Sequence, residues 1–216
     1  MHDGWLSNAY VVGEPGGPAL FVDSGAPLEP LLEAVERERL RPVAVLRTHA
    51  HGDHVEHEDE LCERFGIDVC TGPLDVDGLQ VDAIATPGHS PDGMSFVVNG
   101  TLCFTGDTLF RDAVGGGDAD EVRRSVMDKL LPLPPSLRVL PGHTDETTLA
   151  REWEENPFVR YWRGVEPALD EPVHVAGEEA TLLVWSPDYD GKGKALVRLR
   201  DGDAIVGGSR VERAAG

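Results

Sequence analysis

The chain has 216 residues, enough for one sizeable domain, or one domain with an appendage. Its 39 acidic residues against 19 basic ones leave a net charge of −20, which excludes partners gripped through phosphate contacts, nucleic acid above all. No apolar run approaches the roughly 18 residues of a membrane span, and the start lacks a basic segment followed by an apolar one. We therefore expect a cytoplasmic protein with no membrane partner.

In chain order, residues 8–12 ("NAYVV") and 19–23 ("ALFVD") are predicted strands joined by the turn "GEPGGP". "LEPLLEAVERERL" follows, with Leu28, Leu31, Leu32, Val35 and Arg39 at helical spacing. "VAVLRT" is a β-rich run leading into "HAHGDHVEH", and "VEHEDELCERFG" is a predicted helix stopped by Gly66. "IDVCTG" is a further strand. "MSFVV" and "TLCFT", separated by Asn-Gly, form a hairpin, because that dipeptide accepts the positive φ angles of a tight turn. Residues 119–131 are predicted helical, "LPPSLRVL" leads into a strand, and "PGHTDETT" is a loop. Strand pairs with helices between them predict layered sheets covered by helices. After about residue 165 short strands with Asp-Gly and Gly-Gly turns take over. We expect a main domain over 1–165 and a small β-rich appendage over 166–216.

The chemistry lies in His49, His51, Asp53 and His54. Residues two apart in an extended chain point the same way, so His49 and His51 can face one ion. Asp53 and His54 fall where the next helix begins, and the change of direction there aims both into one cavity. Three more candidates follow apolar runs and adjoin glycines: His89 in "TPGHS", Asp107 in "FTGDT" and His143 in "LPGHT". Seven N/O donors are too many for one tetrahedral ion and suit two divalent ions. Zinc is preferred, and iron or manganese also fit, since no thiolate takes part. Two ions would lower the pKa of a shared water toward about 7 and stabilise the oxyanion of an attacked carbonyl, which is hydrolytic chemistry. Asp53 is placed to orient that water and take up its proton.

The ordered set H-x-H-x-D-H, "PGHS", "GDTLF" and "PGHT" resembles the metallo-β-lactamase-fold hydrolase superfamily over residues 5–150. That resemblance implies an α+β fold, an αββα four-layer sandwich with metals at one edge of its sheets. It implies one ion on His49, His51 and His89, a second on Asp53, His54 and His143, and Asp107 bridging them. "VDSG" resembles an early family element and implies a supporting role for Asp23 behind the ligands. The wording is most similar to the glyoxalase II and persulfide dioxygenase branch, with two departures. "VEH" replaces the glycine pair after H-x-D-H, and the tail is β where glyoxalase II has a helical domain with basic residues for glutathione. We expect a dinuclear hydrolase of a small thioester, ester or lactone. The alternative is a mononuclear iron persulfide dioxygenase using His49, His89 and Asp107. A homodimer is compatible with the sequence.

Other features take blander readings. Cys62, Cys70 and Cys103 are expected as reduced thiols in or near the core. His57 is expected as a surface helix residue, His2 and His174 as solvated, and Trp153, Trp162 and Trp185 as core. Arg160 and Arg163 fall just past the metal loops. The run "AVGGG" (113–117) is open to two readings, a flap over the site or a turn.

Overall fold

The structure, a computed structural model, describes residues 7–213. The first sheet contains β1 (Tyr10–Gly13), β2 (Pro18–Val22), β3 (Arg41–Leu46) and β4 (Asp68–Cys70) in that spatial order. β1 is antiparallel to β2, while β2, β3 and β4 run parallel. Parallel neighbours need a crossover. The first is α1 (Glu29–Glu38), which starts with Pro30 in its first turn and closes on left-handed Arg39. The second combines the single turn α2 (Gly52–Val55) with α3 (Glu58–Phe65), which Gly66 ends.

The second sheet contains β5 (Leu74–Val76), β6 (Leu79–Ala85), β7 (Met94–Val98), β8 (Leu102–Gly106), β10 (Arg138–Pro141) and β11 (Thr147–Thr148). β5 to β8 form an antiparallel meander, and β10 joins β8 in parallel. The Asn99-Gly100 turn has positive φ at both residues, as its dipeptide demands. Leu20, Val22 and Leu46 of the first sheet pack against Val81, Phe96, Val98 and Phe104 of the second. Phe21 and Val45, on the other face of the first sheet, pack against Leu31, Val35 and Leu61 of the helices. The alternation follows from the two-residue period of a strand, and each fully buried Phe or Leu contributes about 1.5–3 kcal/mol.

The outer face of the second sheet is covered by α4 (Ala119–Arg124), α5 (Leu149–Glu155) and α6 (Pro157–Trp162). The helix expected over 119–131 forms, with π-helical winding over Ser125–Leu130. Helix, sheet, sheet, helix is the αββα order expected from the sequence.

The C-terminal strands β12 (Glu171–Val175), β13 (Glu178–Ser186), β14 (Lys194–Leu199), β15 (Gly202–Gly207) and β16 (Val211–Arg213) form a third, antiparallel sheet. Its far edge is β9 (Gly117–Asp118), donated by the middle of the chain. Leu183, Val184, Leu196 and Ile205 also share a buried cluster with Val122, Val139 and Phe158.

Three side expectations are settled here. Cys103 is buried and Cys62 and Cys70 are half-buried, all as free thiols. Trp162 and Trp185 pack against apolar clusters, but Trp153 is a correction. It is 37% exposed on α5 with the Arg163 guanidinium 3.9 Å from its ring centre, because that helix turns its other face to the core. Among the described residues, no helix is long and apolar enough to cross a membrane.

Candidate metal centre

β2, β3, β6, β8 and β10 deliver their C-terminal ends to one rim. Antiparallel β7 sits between β6 and β8, so β6, β8 and β10 share one direction. Val22 is paired with Leu46, which brings Asp23 beside Thr48 and the histidines after β3. Pro141 is paired with Gly106, which brings His143 beside Asp107. His51 is extended, and α2 begins immediately after it, swinging Asp53 and His54 inward. Gly142 has to be glycine: a Cβ there would overlap the Asp107 carboxylate and lie 2.7 Å from His54 Cε1.

All seven candidates meet in three overlapping groups whose donor atoms lie within 4.8 Å of one another. These are His49, His51 and His89; His49, His54 and Asp107; and Asp53, His54 and His143. His51 Nδ1 lies 2.9 Å from His49 Nε2 and 3.0 Å from His89 Nε2. A tetrahedral ion with bonds near 2.0–2.1 Å requires donor separations of about 3.3 Å, so a modest expansion of this trio seats one. Asp107 Oδ2 is 3.4 Å from both His89 Nε2 and His143 Nε2, and Oδ1 is 3.4 Å from His54 Nε2. Its carboxylate thus spans the two ends of the cluster. Asp53 Oδ2 is 3.5 Å from His143 Nε2 and 3.7 Å from His54 Nε2.

His54 Nε2 and Asp107 Oδ1 are buried without a hydrogen-bond partner among the described residues. Leaving a buried polar atom unsatisfied costs about 1–3 kcal/mol. A cation between them would satisfy both atoms, and the donor set of imidazoles and carboxylates suits a divalent metal.

The second ring nitrogens of His54, His49 and His89 have partners of their own. His54 Nδ1 donates to Asp23 Oδ2 over 2.8 Å, which leaves Nε2 for a ligand. Asp23 also accepts from the Thr48 N–H and hydroxyl, each at 2.8 Å. His49 Nδ1 lies 3.1 Å from the Thr48 hydroxyl, and His89 Nδ1 donates to the Gly116 carbonyl over 2.8 Å. The run 113–117 is therefore neither a flap nor a plain turn. Ala113 and Val114 are buried, and its last residue enters β9.

Burial pushes the His49 imidazole down to about 3 and lowers that of His89. Burial works in the same sense on His54, but the hydrogen bond and charge of Asp23 outweigh it and raise that group. Asp53 is held below the usual carboxylate range chiefly by its hydrogen bond with His143. Burial alone would lift Asp107, yet His143, His54 and His89 together hold it well below that range.

His57 stays outside the group, with Nδ1 4.0 Å from Glu60 at the start of α3. His174 is exposed on β12, while His2 lies outside the described residues. Arg160 pairs with Glu166 and Arg163 covers Trp153, so neither reaches the donors. Sequence reasoning missed Thr48, whose only signal is a hydroxyl directly before the first histidine. It also missed Tyr189, from the loop after β13, whose ring stacks on His143 with centres 4.0 Å apart and planes 8° from parallel.

Comparison with known proteins points to one family. The metallo-β-lactamase superfamily model matches residues 2–80. The probable metallo-hydrolase YqgX of Bacillus subtilis is 30% identical, over 71% of this chain and 92% of its own length. The hydroxyacylglutathione hydrolase GloC of Haemophilus influenzae is 25% identical, over 70% of this chain and 92% of its own length. Among solved structures, TTHA1623 in a di-iron-bound form is 33% identical (TM-score 0.60), over 70% of this chain and 94% of that one. ETHE1 from Myxococcus xanthus is 25% identical (TM-score 0.63), over 77% and 89%. The chain belongs to the metallo-β-lactamase superfamily, as a metallo-hydrolase-like member.

Proposed function

We propose that the protein is a dinuclear metal-dependent hydrolase of a small thioester, ester or lactone. The observation that carries this reading is the convergence of seven donors into two sets joined by one carboxylate. His49, His51 and His89 would hold one ion, Asp53, His54 and His143 the other, with Asp107 shared. Zinc is the first choice, and the di-iron form of TTHA1623 supports iron as a second. Two such ions would supply hydroxide at neutral pH and stabilise an oxyanion.

The rest falls to the chain. His51 is exposed, so it marks the mouth by which substrate reaches the buried donors. Asp53, ionised and facing His143 and His54, orients the attacking water and takes up its proton. For a thioester, a carbon–oxygen bond forms and the carbon–sulfur bond breaks, and the leaving sulfur takes that proton to depart as a thiol. Asp23 and Thr48 keep His54 and His49 in the tautomers that ligation needs.

A second reading rests on His89 and Asp107, 3.4 Å apart, with His49 grouped beside Asp107, and on the similarity to ETHE1. Those three residues would hold a single iron for persulfide oxidation. Purification without added metal, metal counting, and parallel assays of thioester hydrolysis and oxygen uptake separate the two. Two ions per chain with hydrolysis is the expected result. One iron with persulfide-dependent oxygen uptake would overturn it.

A further inference from the structure

Beside the donors lies a cleft of about 330 Å³ lined by Asn8, Arg111, Asp112, Thr144, Asp145, Pro187, Asp188 and Tyr189. Three observations tie it to the site. Thr144 directly follows His143, Tyr189 lies flat on the His143 ring, and Asn8 clamps the same loop by donating to the carbonyls of Pro141 and Thr144. The wall carrying Tyr189 comes from the C-terminal sheet. It is anchored by an ion pair of Lys194 with Asp188, Nζ to Oδ2 2.9 Å, whose side chains are 10% and 3% exposed. The Lys194 ammonium also lies 5.8 Å from the Tyr189 ring centre and 6.0 Å from that of Phe110.

The cations in and behind this cleft are already committed to carboxylates. Arg111 faces Asp145 at 3.5 Å and Asp112 at 3.9 Å, Asp112 is held by Arg151 at 2.8 Å, and Lys194 is committed to Asp188. Among the described residues lining the cleft, the one cation is thus paired with carboxylates. What remains for a ligand is an aromatic face, an asparagine, a threonine hydroxyl and the exposed Asp145 carboxylate, with no cation left over, within a chain of net charge −20. Glutathione carries two carboxylates and one ammonium, and coenzyme A carries phosphates. Either would find no free cation here to grip it, in a chain whose overall charge disfavours anions.

We propose that the loop between β13 and β14 makes the C-terminal sheet one wall of the substrate cleft. With Asp112 and Asp145, that wall selects substrates whose non-reacting part is uncharged or cationic and discriminates against anionic thiol carriers. The proposal rests on the hydrolase reading for its reaction, but the cleft can be tested without turnover.

The test compares the lactoyl thioesters of glutathione and of uncharged N-acetylcysteamine on the metal-loaded full chain. Calorimetric binding of the matching S-hexyl thioethers runs alongside. The uncharged thioester should show the higher kcat/KM, its thioether the tighter binding, and added salt should narrow both gaps by screening. Asp145→Lys changes the local charge by two units at the mouth of the cleft. At about 8 Å in a water-like dielectric it should shift the selectivity ratio roughly five-fold toward glutathione. Asp145 is exposed, so folding is not at stake. A wild-type preference for the glutathione compounds, or an unmoved ratio in the variant, would overturn the proposal. Hydrolysis of neither thioester would refute the thioester form of the hydrolase reading, and the thioether comparison would still decide the fate of the cleft assignment.

Discussion

Asp23→Asn is the sharpest probe of how the donors are held. Asp23 is buried, has a left-handed φ of 55°, and accepts three hydrogen bonds of 2.8 Å. Asparagine tolerates that backbone as well as aspartate does, so strain is unchanged. With its oxygen on the Thr48 N–H, its amide nitrogen must replace Oδ2. That nitrogen donates, and His54 Nδ1 can then only accept. The His54 proton moves to Nε2, the atom facing Asp107 and Asp53. The Thr48 hydroxyl, deprived of Oδ2, is left to donate to His49 Nδ1, so the disturbance spreads to the other set. Metal affinity should fall by about 10–100-fold, or roughly 1.4–2.7 kcal/mol. The metal-free fold should lose only about 1 kcal/mol, the difference between charge-assisted and neutral hydrogen bonds, which is roughly 2–4 °C in Tm. Asp23→Ala would blur the test, because it strands the His54 and Thr48 donors at about 1–3 kcal/mol each. Competition with a chromophoric chelator gives the affinity, and nitrogen-15 spectra of the imidazoles give the tautomer. Wild-type affinity for both ions, with the proton still on His54 Nδ1, would refute the reasoning.

Asp107→Ala should lower occupancy at both sets, because its carboxylate lies 3.4 Å from donors of each; two tightly held ions in that variant would end its bridging role. His57→Ala should leave metal content unchanged, and plasma emission counting of metal would expose any loss. Gly142→Ala should cost at least about ten-fold in affinity while the chain still folds, since its Cβ intrudes on Asp107 and His54 rather than on the core. In chelator-treated protein, His49, pushed down to about 3, and His89, also lowered, take up protons less readily than the unfolded chain, whose histidine pKa is about 6.5. Folding is penalised through them as pH falls from about 6.5 toward 3. His54, raised, acts oppositely, its contribution being full below about 6.5 and lost as pH climbs through its folded value. Two lowered groups outweigh one raised group, so the melting temperature should drop between pH 7 and pH 5. A rise over that interval would contradict the shifts.

The donors were legible because each belongs to a local pattern: an apolar strand, a turn glycine, then a histidine or aspartate at the rim. His49 with His51, and Asp53 with His54, needed only the strand period and a helix start to be paired. The C-terminal strands were equally legible from their Asp-Gly and Gly-Gly turns. What could not be read is contact between distant segments. Nothing in "SPDYDGKGK" states that Tyr189 will lie on His143, and nothing in "VGGGDAD" states that Gly117 and Asp118 will pair with Ile205 and Ala204. The glycine run shows why composition misleads here. Glycines suggest mobility, yet a Cβ on Gly115 would overlap the Asp107 carbonyl and lie 3.0 Å from His89 Cβ, and the next carbonyl fixes His89 Nδ1. A segment whose carbonyl accepts from His89 Nδ1, and so fixes that ring's tautomer, gains nothing from moving. At Gly115 and Gly117 a Cβ would overlap the Asp107 and Gly88 carbonyls, so the run is a close-packed strap between the candidate donors and the third sheet.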